Sequence, residues 1–265
     1  MEIFGYIAAL LIGISLGLIG GGGSILTVPV MVYLFGLQPL VAMSYSLFIV
    51  GSTSIVGAVS NYRKGLVNVK AAIFFGASSI ATVFLVRKYI VPALPNTILK
   101  IGGFPITSSF ILMLLFALLM LFASVSMIRK PKQHFKEKEN KSSIHFFGFI
   151  GYGIMIGLIT GLLGAGGGFL LIPTLVFLIG LSMKKAIGTS LFIIALNSLI
   201  GFLGDLGHIS INWVFLLKVT GIAIAGILIG GAFSKKIKSE NLKKGFGWFI
   251  LIMGVIIIVK EIFSS

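Results

Sequence analysis

The sequence has no cysteine and only six acidic residues in 265, namely Glu2, Glu137, Glu139, Asp205, Glu240 and Glu261. The first absence excludes disulfides, thiolate metal sites, iron–sulfur clusters and cysteine nucleophiles. The second leaves almost no carboxylate for acid–base or metal chemistry. Charge is scarce as a whole: 10% of residues are charged and 57% are apolar, where a soluble domain carries roughly 25% charged residues. With a mean hydropathy of +1.14, no polar face is left to turn toward water, and lipid must be the solvent for most of the chain. Enzyme motifs are also missing. There is no His-Glu-x-x-His, no Gly-x-Ser-Gly with a partner histidine and no membrane aspartate pair, so an enzyme is not expected. The glycine runs are followed by neither Lys-Ser/Thr nor a soluble βαβ unit, which excludes a nucleotide loop and leaves no cofactor implied. His134, His145 and His208 form no pair with metal-ligand spacing, so no metal site is expected.

What the chain has is a net charge of +15, 35 glycines and long apolar runs. No stretch is polar and aromatic enough to bind nucleic acid. Runs long enough to span a bilayer, which takes about 20 residues, lie at 40–61, 69–90, 105–128, 184–204, 212–233 and 245–262. The N-terminus lacks a basic n-region and a small-residue cleavage site, so the first apolar run is expected to remain in the mature protein. Two stretches, Ile3–Gly36 and Ile144–Gly180, are too long for one span and are interrupted by Gly20-Gly21-Gly22-Gly23 and Gly164-Ala165-Gly166-Gly167-Gly168. Glycine costs about 1 kcal/mol per residue in a helix interior, so each cluster predicts a broken helix, either in line or folded as a hairpin.

The two breaks belong to an internal repeat. Shifting the sequence by 144 residues aligns Gly17–Leu37 with Gly161–Leu181, and between residues 17 and 68 nineteen of 52 pairs are identical. The result is an all-α polytopic membrane protein of two homologous halves, 1–128 and 144–265, joined by the basic segment 129–143, each half with a Gly-broken first segment and three spanning helices. A broken segment at the same place in each half points to a secondary-transporter binding site. The cations decide how the halves are related, since they concentrate on the cytoplasmic side. If the broken segments cross once, the halves are parallel and the cations divide ten against ten. If the broken segments fold back, the second half is inverted and sixteen cations face Arg87, Lys88, Lys100 and Lys260 alone. The lopsided division predicts an inverted repeat in the cell (inner) membrane, with 129–143 cytoplasmic and both termini outside.

The paired Gly-x-x-Gly-x-Gly-Gly signatures ending in proline, Gly17–Pro29 and Gly161–Pro173, together with Ala186–Leu191 in the pattern Ala-x-Gly-Thr-Ser-Leu, resemble the sulfite exporter TauE/SafE family over nearly the whole chain. The first half departs from the second motif, with Ser44 and Tyr45 where the second half has Gly188 and Thr189. The resemblance implies a permease for a small anion such as sulfite, thiosulfate or an organosulfonate, without naming which.

Elementary electrostatics leads to the same class of ligand. A helix that restarts after a glycine break presents free N–H groups and a positive dipole end, which bind anions without a charged side chain. Two such ends facing each other would offer Gly22, Gly23, Ser24, Gly166, Gly167 and Gly168, with Ser46, Thr189, Ser190 and Asn197 as supplements. The competing structural reading is close helix packing, which also fits Gly153, Gly157 and Gly161. Asp205, aligned with Asn61, is the one candidate proton or ion carrier; capping a turn at the outer interface is its structural alternative. A proton or sodium could be the coupling ion. Lys218 is expected to snorkel, and His208 to sit in a wet loop. An anion channel, and less so a scaffold or membrane enzyme, stands as the alternative function, and the sequence does not specify an oligomeric state.

Overall fold

The computed structural model describes residues 2–95, 97–101, 104–128, 146–177, 179–233 and 239–263; the basic segment 129–143 lies outside them. The first half contains α1 (Glu2–Ile19), a 3-10 turn over Gly21–Leu26, α2 (Thr27–Tyr33), α3 (Pro39–Arg63), α4 (Val69–Leu85) and α5 (Ser108–Ile128). The second contains α6 (Phe146–Leu163), α7 (Gly168–Phe177), α8 (Met183–Asp205), α9 (Trp213–Phe233) and α10 (Ser239–Phe263). Among the described residues, six helices are long and apolar enough to cross a membrane: Pro39–Arg63, Val69–Ile90, Ser108–Ile128, Met183–Asp205, Trp213–Phe233 and Lys244–Phe263. They coincide with the six runs expected from hydropathy. Their outer faces are apolar, with Phe74, Phe122, Leu217, Leu228 and Ile252 all exposed, a surface suited to lipid and not to water.

The helices pair in a pattern that respects the 144-residue shift. α1 packs on α9 and its equivalent α6 packs on α4, while α3 and α8 form the centre and α5 packs on α10. Lipid supplies no hydrophobic drive between helices, so these contacts depend on close approach at small residues. Along α6, a Cβ at Gly157 would lie 2.7 Å from the Ser79 carbonyl oxygen, and one at Gly161 would lie 2.8 Å from Val86 Cβ. The equivalent Gly13 and Gly17 of α1 lie against Ala223 and Ile227 of α9. The packing expected of the Gly153, Gly157 and Gly161 row is therefore present, with Gly153 against Ser78.

α3 and α8 run antiparallel. Ser44 of α3 meets Asp205 of α8, Gly51 approaches Leu199, and Gly188 approaches Asn61 and Leu66. The connection after α3 and the start of α8 thus occupy one end of the molecule, and the start of α3 and the end of α8 the other.

One element departs from the all-α expectation. Between α4 and α5 the strands β1 (Thr97–Ile101) and β2 (Phe104–Thr107) pair antiparallel, with Thr97 opposite Thr107 and Ile101 opposite Phe104. The residues explain it. β-Branched Thr97, Ile98, Ile101, Ile106 and Thr107 flank Gly102-Gly103, a composition suited to a hairpin, and Pro105 opposes a helix interior. The span expected from 105 therefore begins at Ser108.

Candidate functional site

The backbone changes character at both glycine clusters. α1 stops at Ile19, Gly20 takes φ +80°, and the 3-10 turn Gly21–Leu26 leads straight into α2. α6 stops at Leu163, Gly164, Gly166 and Gly167 take φ +66°, +69° and +67°, and α7 begins at Gly168. Residues with a Cβ rarely adopt that region. The two breaks touch: a Cβ at Gly21 would overlap Gly168 and a Cβ at Gly168 would overlap Gly21. Nearby, a Cβ at Gly166 would lie 2.8 Å from Val50 and 3.2 Å from the Ser198 hydroxyl.

The expected site residues divide into groups. Gly166 and Gly168 lie at this junction, Gly167 lies against Thr160 of α6, and Gly23 lies against Ser15 and Leu16 of α1. Gly22 is roomier, with Ile19 at 3.2 Å from a Cβ placed there. Ser24 and Ser190 donate to backbone carbonyls of their own elements, Gly21 at 2.7 Å and Ile187 at 2.9 Å. Asn197 Nδ2 donates to Ser79 Oγ at 2.7 Å, tying α8 to α4. Thr189 lies farther along, accepting from the Asn68 N–H at 2.9 Å. Ser46 is fully buried and its hydroxyl has no hydrogen-bond partner.

Ser46 has company. Ser15, Thr27, Ser54, Thr160 and Ser198 are also buried hydroxyls without partners, as is the Asn197 carbonyl oxygen. Each such atom costs free energy in a medium without water. Their concentration on and beside the broken segments makes this interior an incompletely satisfied polar zone, suited to a ligand that brings hydrogen bonds of its own. Ser54 and Ser198 are equivalent under the repeat.

Asp205 and Asn61, equivalent in sequence, lie at opposite ends of the α3–α8 pair. Asn61 sits beside Gly188, and α8 runs about 25 Å from there to Asp205 at 1.5 Å per residue. Asn61 donates to the Gly57 carbonyl at 2.8 Å and is only part-buried. Asp205 is buried, and Arg87 accounts for this. Arg87 Nη1 lies 3.3 Å from Asp205 Oδ2 and 3.5 Å from Oδ1, and Ser44 Oγ donates to Oδ2. Arg87, counted from the sequence among the cations of the outer side, is fully buried. α4 loosens into a π turn over Val86–Ile90, with the Val91 N–H donating to the Val86 carbonyl at 2.8 Å, and this turn carries Arg87 inward instead of releasing the chain. π turns inside helices recur at functional sites. His208 is exposed, as expected of a wet loop, and Lys218 is exposed along α9.

At the same end, Tyr33, Phe35, Tyr45, Asn212 and Phe215 line a cleft of about 480 Å³. The Asn212 N–H donates to the Tyr45 hydroxyl at 2.6 Å, the repeat equivalent of the Asn68–Thr189 bond.

Residues 6–257 match the family model described as sulfite exporter TauE/SafE. The chain belongs to the sulfite exporter TauE/SafE family. Curated relatives of this TauE/SafE protein include a "probable membrane transporter protein" of Xylella fastidiosa, 27% identical over 255 residues and covering 95% of this chain and 92% of the relative. The probable membrane transporter protein YunE of Bacillus subtilis is 25% identical over 281 residues, 97% of each chain. One from Methanocaldococcus jannaschii, MJ0441, is 25% identical over 267 residues, 96% of this chain and 94% of its own. No solved structure matches. The protein is a multi-pass membrane transporter of the TauE/SafE family, not an enzyme.

Proposed function

We propose that the chain is a secondary transporter that carries a small oxyanion, of the sulfite, thiosulfate or organosulfonate class, by alternating access around the two glycine breaks. The observation that carries this reading is the contact between Gly21 and Gly168, which brings the two breaks together amid buried hydroxyls that lack partners. An anion there meets backbone N–H groups and hydroxyls. The family description, which names sulfite export, favours a sulfur oxyanion.

The halves, 1–128 and 144–265 about the basic segment, are on this reading an inverted repeat. Support comes from the opposite ends occupied by Asn61 and Asp205. It comes also from the cations, since Leu66, close after Arg63 and Lys64, touches Gly188, close after Lys184 and Lys185. With those four cytoplasmic, Asp205 faces outward and the termini lie outside. One half rocking against the other exposes the junction first to one side and then to the other.

Flux measurements on the purified chain in proteoliposomes test this. Sulfite or thiosulfate uptake should saturate and show counterflow, whereas a voltage-dependent anion current without counterflow would mark a channel.

A further inference from the structure

Among the described residues, a buried cation lies against the second break. Gly164 opens the second break, and a Cβ placed on it would lie 2.7 Å from Arg87 Nη2 and 2.6 Å from the Met43 carbonyl oxygen. The guanidinium therefore lies against the backbone of the break itself. Nη1 faces Asp205 and Ser44, while Nε and Nη2 are buried without any hydrogen-bond partner. A guanidinium presents five donors in a rigid fork suited to oxyanions, and most of this fork is unused.

At the equivalent positions of the first break these residue types are replaced. Shifted by 144, Arg87 corresponds to Gly231, Ser44 to Gly188 and Asp205 to Asn61, so all three members of the cluster lose their function together. At Gly20, the equivalent of Gly164, the nearest neighbours of a Cβ would be the apolar side chains of Ile187 and Ile172. A structural ion pair needed to hold the fold would have reason to recur in both halves, and this one does not.

We propose that Arg87 is a substrate-binding residue at the second break and that Asp205 is its displaceable counter-ion, so that anion and proton are taken up together. This rests on the transport reading and names its coupling. In the resting state the guanidinium and carboxylate neutralise each other. When Asp205 takes a proton from the outer side, the carboxyl releases Nη1 and the arriving oxyanion accepts from Nη1, Nη2 and Nε in its place. For a monoanion the site is neutral before and after, since one proton and one negative charge enter together. Separating a buried pair without that exchange would leave an uncompensated charge, which the interior opposes strongly. Among the described residues, the other charged or titratable groups around Asp205 are His208, whose backbone N–H donates to the Asp205 backbone carbonyl at 3.1 Å, and Lys88. The Lys88 ammonium lies over the Phe84 and Tyr89 rings at 5.3 and 5.6 Å, engaged outside the pair. From α3, Ser44 Oγ supplies the hydrogen bond to the carboxylate.

The experiment uses the full chain, in detergent for anion-induced thermal shifts and in proteoliposomes for uptake of labelled sulfite and thiosulfate with and without an inward proton gradient. Wild type should be stabilised by these anions and accumulate them when protons flow inward. D205N should lose gradient-driven accumulation, and R87Q should lose the thermal shift and raise KM about tenfold or more, as expected for losing a charge-assisted contact. R87K should keep the gradient dependence with a raised KM. The double variant R87Q/D205N removes both charges and should elute as a monodisperse species with no anion-induced shift, separating lost binding from lost folding. D205N with undiminished gradient dependence, or an anion-induced shift that survives in the double variant, overturns the proposal while leaving transport intact. A wild type that neither carries nor is stabilised by the anions overturns the transport reading and this one with it.

Discussion

Gly21 and Gly168 lie so close that neither can carry a Cβ without overlapping the other's backbone. These residues are 147 positions apart and belong to different halves, yet their contact joins the two breaks. Overpacking a tight contact costs about 1–3 kcal/mol. G21A and G168A should each lower thermal stability in detergent by an amount in that range, and transport should fall further than stability because the breaks are pushed apart. A variant with wild-type melting and wild-type flux would show the contact to be dispensable.

Gly22 and Gly166 are equivalent in the repeat but not in environment. A Cβ at Gly22 meets Ile19 at 3.2 Å, which a small shift relieves, whereas Gly166 takes φ +69° and faces Val50 at 2.8 Å. The left-handed conformation alone costs a residue with a Cβ about 1–2 kcal/mol. G22A should therefore fold and transport nearly as wild type, and G166A should lose most sulfite or thiosulfate flux. Measuring both in one proteoliposome preparation checks the contrast.

The Asn68–Thr189 and Asn212–Tyr45 hydrogen bonds, 2.9 and 2.6 Å, each tie the connection before a helix to the opposite half. T189V and Y45F remove the acceptor and leave a part-buried N–H unpaired, a loss of about 1 kcal/mol each. Asn68 also accepts from the Ala71 N–H at 3.0 Å as the N-cap of α4, so N68A should cost about 1 kcal/mol more by loss of the cap. Thermal unfolding of the single and double variants reads these increments, and T189V combined with N68A should be close to additive, because T189V removes the acceptor of the Asn68 backbone N–H and N68A the side-chain cap on Ala71.

The absence of cysteine makes the orientation directly measurable. A cysteine introduced at Ser265 should be labelled by an impermeant maleimide in intact cells, and one introduced at Lys64 should be labelled only after the membrane is opened. The reverse pattern would reject the inverted arrangement with both termini outside.

Arg87 shows where reading the residues stopped. It stands beside Lys88 near the end of an apolar run, where two cations normally mark an interface. Its burial depends on the π turn over Val86–Ile90 and on Asp205, 118 positions away, and neither leaves a local trace. A signal did exist in the repeat, in the joint loss of Arg87, Ser44 and Asp205 to Gly231, Gly188 and Asn61. The β1–β2 hairpin had a plainer signal in Gly102-Gly103 between β-branched residues, masked by the hydropathy of the neighbouring span.

The spans and the changes of backbone at Gly20 and Gly164 were determined by the sequence by itself, because apolar length and glycine's backbone freedom are local properties that hold in any arrangement of the helices. Only the tertiary structure decided that the breaks touch at Gly21 and Gly168, that Ser54 and Ser198 are buried without partners, and that Arg87 turns inward to Asp205. Those facts depend on how α3, α4 and α8 pack together, and in lipid that packing follows from shape and paired polar groups instead of from hydropathy.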